Sequence, residues 1–294
     1  MIKRLIAALI LLSLLLISCI AVSFLLGYKI HRDVSYGVSD ANKMDIYLPN
    51  KAAERESNGV IVFIHGGSWS GGDKSSEDFR CRLFASRGYV TATINYTLWT
   101  EETAGEYNVL GVLDEIDAAL QRIEGFATDN GISVDRAAIA GYSAGAHLAL
   151  LYSYSRSAVA PLEVVFVGSM SGPADISEAV WGREMTKRVG RRLTGIEISD
   201  DMLDSGAADA LLSAVSPTSY INSNSVPTLM MHGGRDDVVP VANADALIKR
   251  LSESAVKYDY VYMSRSDHVL WQNPLKHLTY TRLMLDYCRS YFGY

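Results

Sequence analysis

Apolar runs of strand length alternate along the chain with segments in which apolar residues recur every three or four positions. Five runs predict strands in the interior of a sheet: 60–64, 89–96, 137–140, 162–168 and 228–232. Four segments predict helices: 78–87, 108–123, 242–252 and 275–291. The amphipathic repeat is clearest in 108–123. Strands that alternate with helices predict an α/β fold with a mostly parallel sheet and right-handed crossovers.

Two further strands are predicted nearer the ends of the domain. Met44 to Pro49 alternates polar and apolar residues and stops at a proline, and Tyr258 to Met263 has strand composition. The charged and polar stretch Lys51 to Asn58 indicates a hairpin-type connection to the strand that follows. Residues 173–220 are polar and longer than a simple crossover requires, so they predict a small helical cap or lid within a domain of residues 31–294.

The first 30 residues have a different character. An uncharged run from Leu5 to Leu26 follows Lys3 and Arg4, and its 22 residues exceed the usual apolar core of a cleaved signal peptide. A bilayer needs about 20 such residues, so we expect residues 1–30 to be a membrane anchor that holds an exported, periplasmic or extracellular domain. The residues before Cys19 also resemble a bacterial lipobox, so a lipoprotein attached at Cys19 or a cleaved, secreted form are the alternatives.

Composition limits the possible functions. The chain has 294 residues, 49% hydrophobic and 20% charged, which suits one large α/β core. A net charge of −6 without a dense basic run argues against a nucleic-acid partner. The cysteines Cys19, Cys81 and Cys288 have neither zinc-site spacing nor the even number of a disulfide framework. We expect Cys81 and Cys288 to be free, buried thiols.

The sequence Gly141-Tyr142-Ser143-Ala144-Gly145 stands between a predicted strand and a helix-forming run that begins at Ala146. A G-x-S-x-G motif in that context predicts a nucleophile elbow, in which a sharp turn exposes the serine hydroxyl. The residues two before and two after the serine face neighbouring backbone in such a turn, and glycine leaves that space free. We therefore predict Ser143 as a nucleophile.

A serine hydroxyl needs a base to remove its proton and a carboxylate to orient that base. His268 lies in the loop after the last strand and is the expected base. His65, His147 and His232 are expected to have structural roles, since they end strands or lie on the helix after the elbow, and the two others are expected at the surface: His31 and His277.

The expected carboxylate is Asp236, in the loop after strand 228–232. The order Ser143, Asp236, His268 is the chain order of an α/β-hydrolase triad. Asp237, its neighbour, and Asp175, after an earlier strand, are the alternatives. All of these loops leave the carboxyl ends of strands, where the sites of open α/β sheets lie.

The negative charge that develops on a substrate carbonyl oxygen needs fixed hydrogen-bond donors. The amide of Ala144 follows the nucleophile at a helix N-terminus and can supply one. The amides of Gly67 and Ser68 can supply others, because the glycines of His65-Gly66-Gly67 let that loop approach a substrate. We therefore expect an oxyanion hole formed by Gly67, Ser68 and Ala144.

Taken together, these motifs resemble those of the α/β-hydrolase superfamily, in the lipase and esterase group related to hormone-sensitive lipase and to bacterial carboxylesterases and feruloyl-esterase-like proteins. The resemblance starts at about Asp33 and is carried by these motifs: His65-Gly66-Gly67-Ser68-Trp69, Gly72-Asp73-Lys74, Ile94-Asn95-Tyr96, residues 141–149, and His232-Gly233 with Asp236, Val238 and Pro240. It implies the same triad and the same oxyanion hole. Ser68 stands where many relatives have a third glycine.

The sequence thus predicts a membrane-attached serine hydrolase that cleaves carboxylic esters of small or medium acyl groups through an acyl-enzyme. We expect no metal and no cofactor to be required. An amide-bond hydrolase similar to prolyl-oligopeptidase-type peptidases or arylformamidases is the first alternative, because the elbow and triad serve both reactions. A catalytically silent binding module on the same fold is the second, although such modules usually lose a triad member.

Overall fold

A computed structural model of the protein describes residues 27–37 and 39–294. Its strands are β1 (Tyr28–Ser35), β2 (Lys43–Pro49), β3 (Asn58–Ile64), β4 (Val90–Ile94), β5 (Val134–Tyr142), β6 (Glu163–Met170), β7 (Thr228–Gly233) and β8 (Tyr258–Met263). Its helices are α1 (Asp78–Ala85), α2 (Val109–Asp129), α3 (Ala144–Ser155), α4 (Glu178–Trp181), α5 (Arg183–Thr194), α6 (Asp200–Asp204), α7 (Asp209–Ala214), α8 (Ala242–Glu253) and α9 (Pro274–Phe292). Short 3-10 helices lie at Asn50–Glu54, Lys74–Glu77 and Pro217–Tyr220.

The strands form one sheet in the order β1-β2-β4-β3-β5-β6-β7-β8. From β4 to β8 all neighbours are parallel, whereas β2 is antiparallel to both β1 and β4. The predicted α/β fold with a mostly parallel sheet and flanking helices is therefore confirmed.

The hairpin expected between β2 and β3 is wrong. β4 lies between these two strands, and the connecting segment forms a 3-10 helix at Asn50–Glu54 instead of a tight turn. Asn58 holds this connection in place, because its side-chain amide donates to the carbonyl of Ala52 at 2.9 Å. A polar connection shows only that the chain runs along the surface there, and it does not specify which strands become neighbours in the sheet.

Alternate residues of each central strand pack on opposite faces of the sheet. In β3, Val60 and Val62 contact the apolar core under α2, α3 and α8, whereas Ile61 and Phe63 contact the core under α1 and α9. These four side chains are at most 1% exposed. Burial on both faces explains why the strand is a continuous apolar run.

The first strand begins three residues before the expected start of the domain. Tyr28 pairs with Pro49 and Ser35 pairs with Lys43, so β1 extends along the whole of β2. Because β2 runs antiparallel to β4, Tyr28 lies at the edge of the sheet opposite the carboxyl ends of the parallel strands. Residues 1–26 of the expected anchor, with the alternative attachment site Cys19, lie outside the described residues.

Four helices, α4 to α7, occupy the segment in which a cap is predicted. The segment contacts the main body through α5, where Arg191 pairs with Glu101 at 2.7 Å and its guanidinium stacks on Trp99. Its role as a cap stays a prediction. Between residues 27 and 294, position 38 aside, no helix combines the length and the apolar composition needed to cross a membrane. Cys81 and Cys288 are free and buried, as predicted.

Candidate active site

Ser143 occupies a sharp turn between β5 and α3. Its backbone has φ 54° and ψ −120°, a conformation that an L-residue adopts only when the surrounding structure holds it. A Cβ on Gly141 would lie 2.3 Å from the carbonyl oxygen of Gly145, and a Cβ on Gly145 would lie 2.0 Å from that of Ile64. Both glycines are therefore required by close backbone contacts, and the turn has the geometry expected of a nucleophile elbow.

The structure brings the three predicted triad residues together, although 125 positions of sequence separate the serine from the histidine. The Oγ of Ser143 lies 2.9 Å from Nε2 of His268. The Nδ1 of the same ring lies 2.8 Å from Oδ2 of Asp236 and 3.0 Å from Oδ1. A carboxylate only accepts hydrogen bonds, so Nδ1 carries the proton and Nε2 is left to accept from the serine hydroxyl.

Asp236 is held as a carboxylate by several donors. Its side chain is fully buried, and its Oδ1 accepts from the backbone N–H groups of Val238 and Val239 at 3.0 and 2.8 Å. Burial alone would raise the pKa of the Asp236 carboxyl, but the bonds from His268 and Val239 outweigh it and lower that pKa below its ordinary value. The ring of His268 therefore faces a fixed negative charge.

The alternative carboxylates do not join this arrangement. Asp237 is exposed, and His268 Nδ1 lies within hydrogen-bond distance of both carboxylate oxygens of Asp236. Asp175 contributes its backbone to another network: its N–H donates to Asn243 and its carbonyl accepts from the indole of Trp181. The sequence favoured Asp236 over its neighbour Asp237, and the structure places the Asp236 carboxylate on His268.

Four of the remaining histidines form hydrogen bonds to backbone carbonyls, at 2.7 to 3.0 Å: His65 to Gly66, His147 to Val215, His232 to Val239, and His277 to Leu270. These contacts fit the structural roles expected of the first three. His31 and His277 are only partly exposed, whereas the sequence suggested surface positions. The ring of His31 packs edge-on against Phe126 at a centroid distance of 4.8 Å.

The segment His65–Gly72, called the glycine loop below, packs against the elbow. A Cβ on Gly66 would lie 3.2 Å from the Cβ of Ser143. Gly67, Ser68 and Trp69 follow with φ of 125°, 54° and 59°, all in the left-handed region. Ser68 thus adopts a conformation that glycine would adopt at lower cost.

The predicted oxyanion donors are the backbone amides of Gly67, Ser68 and Ala144. In the part of the chain that the structure describes, no hydrogen bond is made by these three N–H groups. Ala144 begins α3, so its amide is one of the unpaired donors at a helix N-terminus. Free amides on both sides of the serine are what a developing oxyanion requires.

Residues of the Ile94-Asn95-Tyr96 motif hold the end of the glycine loop. The side-chain N–H of Asn95 donates to the carboxylate of Asp73 at 2.8 Å. The side-chain carbonyl of Asn95 accepts from the backbone N–H of Lys74 at 2.6 Å. The Tyr96 hydroxyl donates to the carbonyl of His65 at 3.1 Å, and the two rings stack at 4.5 Å. The motif therefore shapes the loop that contacts the serine.

Lys74 explains the rest of the Gly72-Asp73-Lys74 motif. It is only 7% exposed and its Nζ pairs with Asp45 and Asp33, each at 2.8 Å. Asp45 is buried on β2 and also pairs with Arg32 of β1 at 2.5 Å. Lys74 and Asp45 are buried, and with the more exposed Asp33 and Arg32 they join the residues after the glycine loop to the two antiparallel strands.

Sequence reasoning missed one residue that contacts the loop of His268. Tyr142, the variable residue of the elbow motif, donates from its hydroxyl to the backbone carbonyl of His268 at 3.0 Å. The two rings also lie 5.3 Å apart. No signal in the sequence could identify this bond, because it joins β5 to a loop that follows β8.

Comparison with known proteins places these residues in a family context. The model of the BD-FAE family matches residues 44–251. Esterase LipC of Mycobacterium tuberculosis is 25% identical over 244 residues, which cover 79% of this chain and 58% of that protein. A probable isoprenylcysteine alpha-carbonyl methylesterase of Oryza sativa subsp. japonica is 25% identical over 267 residues, which cover 84% of this chain and 59% of that protein.

Among solved structures, a truncated form of a carbohydrate esterase from gut microbiota superimposes with a TM-score of 0.74. The two sequences are 17% identical, and the match covers 91% of this chain and 98% of the other. At that identity the likeness shows the shared fold. The chain spans less than two thirds of the length of the curated relatives it matches.

Proposed function

Since this chain belongs to the BD-FAE family, we propose that it is a carboxylesterase that cleaves small esters through a covalent acyl-enzyme on Ser143. The family match also confirms the predicted resemblance to esterases of the α/β-hydrolase superfamily. The observation that carries the mechanism is the continuous chain of bonds from Ser143 Oγ through His268 to Asp236, at 2.9 and 2.8 Å.

In the first half of the proposed reaction, Ser143 Oγ attacks the ester carbonyl carbon while its proton passes to Nε2 of His268. The buried carboxylate of Asp236 stabilises the imidazolium that forms. The carbonyl oxygen becomes an oxyanion, which accepts from the amides of Gly67, Ser68 and Ala144. The intermediate then expels the alcohol, which takes the proton from His268, and the acyl group remains on Ser143.

In the second half, water attacks the acyl carbon and gives its proton to His268. The new tetrahedral intermediate uses the same donors, and its collapse returns the proton to Ser143 Oγ and releases the carboxylic acid. Each step uses groups of this chain alone. The residues between β6 and β7 contact the main body beside the glycine loop, so we propose that they limit the size of the acyl or alcohol group.

The test is ester hydrolysis by the full-length protein in detergent, with short p-nitrophenyl esters and a fluorophosphonate probe. Wild type should hydrolyse and label, and Ser143→Ala should lose both. The matched control is Ser153→Ala on the same helix, because the Ser153 hydroxyl is buried and has no partner within the described residues. That variant should keep full activity.

Other outcomes reject the esterase proposal. A folded wild type that labels but hydrolyses only anilides or formamides supports amide hydrolysis. A folded wild type that neither labels nor hydrolyses supports the binding module.

We also propose that the residues before Tyr28 attach the enzyme to a membrane and that the catalytic domain is exported. Tyr28 lies at the sheet edge opposite the carboxyl ends, so an anchor that precedes it leaves the active site facing away from the bilayer. Soluble esters are then the expected substrates. Membrane fractions of cells expressing the full chain should retain the protein after carbonate washing, and its intact mass should distinguish a retained segment from cleavage or lipidation at Cys19.

A further inference from the structure

The imidazole of His147 joins three parts of the molecule. His147 lies on α3 four residues after Ser143 and is fully buried. Its Nδ1 accepts from the indole N–H of Trp69 at 3.2 Å, and its Nε2 donates to the carbonyl of Val215 at 2.8 Å. The rings of His147 and Trp69 meet edge to face, with their centroids 5.2 Å apart. The ring therefore connects the glycine loop, the helix after the nucleophile, and the end of the segment between β6 and β7.

The glycine loop needs such a contact because its backbone is strained. Ser68 and Trp69 both have positive φ, a conformation that a residue with a side chain keeps only when the surrounding structure holds it. The Trp69 carbonyl accepts from the N–H of Trp99 at 2.8 Å, which holds the backbone on one side. The bond from the Trp69 indole to His147 holds the side chain on the other, and Trp69 is only 4% exposed.

The two bonds require one tautomer of His147. The Val215 carbonyl can only accept, so the proton is on Nε2, and Nδ1 is then free to accept from Trp69. A protonated ring would present a second N–H to the indole N–H and lose that contact. Burial lowers the pKa of His147 to about 4, so the ring stays neutral at the pH at which esterases are assayed.

We propose that His147 is a positioning residue for ester hydrolysis: through Trp69 it holds the amides of Gly67 and Ser68 where the oxyanion forms. This inference rests on the proposed function, since it assigns a task to the same site. His147 touches neither the substrate nor the reacting atoms. Removing an oxyanion donor typically lowers turnover by about 10²–10³, so a displaced loop should lower it by a smaller factor, about 10- to 100-fold.

Four variants of the full-length protein test the proposal. His147→Phe removes both bonds and keeps a ring, and Trp69→Phe removes the donor from the loop side. His147→Gln keeps an acceptor and a donor at similar reach, so it should recover most of the activity. Tyr154→Phe is the control, because it removes a buried hydrogen bond, to Thr228, from the far end of the same helix.

The readouts are kcat per active site titrated with fluorophosphonate, KM, and the Ki of a trifluoromethyl ketone that mimics the tetrahedral intermediate. His147→Phe and Trp69→Phe should each lower kcat about 10- to 100-fold with KM within about threefold, and the Ki should rise in parallel. Both changes together should cost little more than one, because they break the same bond. Tyr154→Phe should lower stability and leave kcat per site unchanged.

Several results would overturn the inference. If His147→Phe and Trp69→Phe keep the wild-type kcat per site and lose only thermal stability, His147 is a packing residue. If kcat per site is as low in His147→Gln as in His147→Phe, the hydrogen bonds to Trp69 and Val215 do not support turnover. These results leave the esterase proposal intact, whereas a folded wild type without hydrolysis or labelling overturns both. If His147→Phe does not fold, Trp69→Phe and His147→Gln decide the question.

Discussion

Replacing Gly145 with alanine should separate the fold from the catalytic geometry. A Cβ at this position would lie 2.0 Å from the carbonyl oxygen of Ile64 and 2.5 Å from that of His65. Ordinary contact starts at 3.4 Å, so the helix and the strand are about 1.4 Å too close for a methyl group. Ile64 and His65 are buried at the end of a central strand, so the first turn of α3 must move instead.

The magnitude follows from that displacement. Overpacking of a core contact costs about 1–3 kcal/mol, and in a domain of this size each kcal/mol lowers Tm by roughly 2–4 °C. A shift of about 1 Å in reacting groups can cost about 10² in rate. Gly145→Ala moves Ser143 and Ala144 together, so we expect kcat to fall at least about 100-fold while the melting temperature falls by only about 3–10 °C.

The assay compares kcat and fluorophosphonate labelling with the melting temperature at one pH. The matched control is Gly125→Ala on α2, where the new Cβ meets nothing within 4 Å. Gly125 is exposed and lies within α2, one turn before its end, so alanine should stabilise the protein by about 0.5–1 kcal/mol and leave kcat unchanged. A Gly145→Ala variant with kcat within about threefold of wild type would refute the argument that backbone contact sets the elbow geometry.

Three further predictions concern side chains. Asp236→Asn should lower kcat by about 10³–10⁴, since an amide can select the wrong tautomer of His268, while Asp237→Asn should have no effect in the same ester assay. Tyr142→Phe removes one hydrogen bond to the base loop and should lower kcat by about 3- to 10-fold with Tm nearly unchanged; a larger loss in Tm than in kcat would contradict this. Burial lowers the pKa of His147 from 6.5 to about 4, so as the pH falls the unfolded state takes up a proton that the folded state does not. The unfolding free energy of wild type should therefore fall by roughly 2–3 kcal/mol between about pH 7 and about pH 4.5. Urea denaturation should show that His147→Gln does not lose this contribution.

The ion pairs of Lys74 show how far the candidate site depends on remote contacts. Lys74 follows the glycine loop in sequence, yet its partners Asp33 and Asp45 come from the two antiparallel strands. A buried carboxylate such as Asp45 needs its cations, because an unpaired charge in the interior is strongly unfavourable. Strands β1 and β2 therefore help to hold the loop that packs against Ser143.

Much of the protein could be predicted from local pattern. Periodicity identified the central strands and the long helix α2, because burial on one or two faces leaves a direct record in the order of apolar residues. The elbow at Ser143 could be located because the turn itself demands glycine at Gly141 and Gly145. The order Ser143, Asp236, His268 was informative because chain order in this fold dictates which loops reach the carboxyl edge.

Only the tertiary structure decided the features that depend on contacts between distant segments. It placed β4 between β2 and β3, joined the hydroxyl of Tyr142 to the carbonyl of His268, and joined His147 to Trp69. None of these has a local signature, because a hydrogen bond or strand pair between remote residues depends on how the loops converge after the core has packed. Sequence pattern records what each residue buries, whereas the partner it meets is set by the fold as a whole.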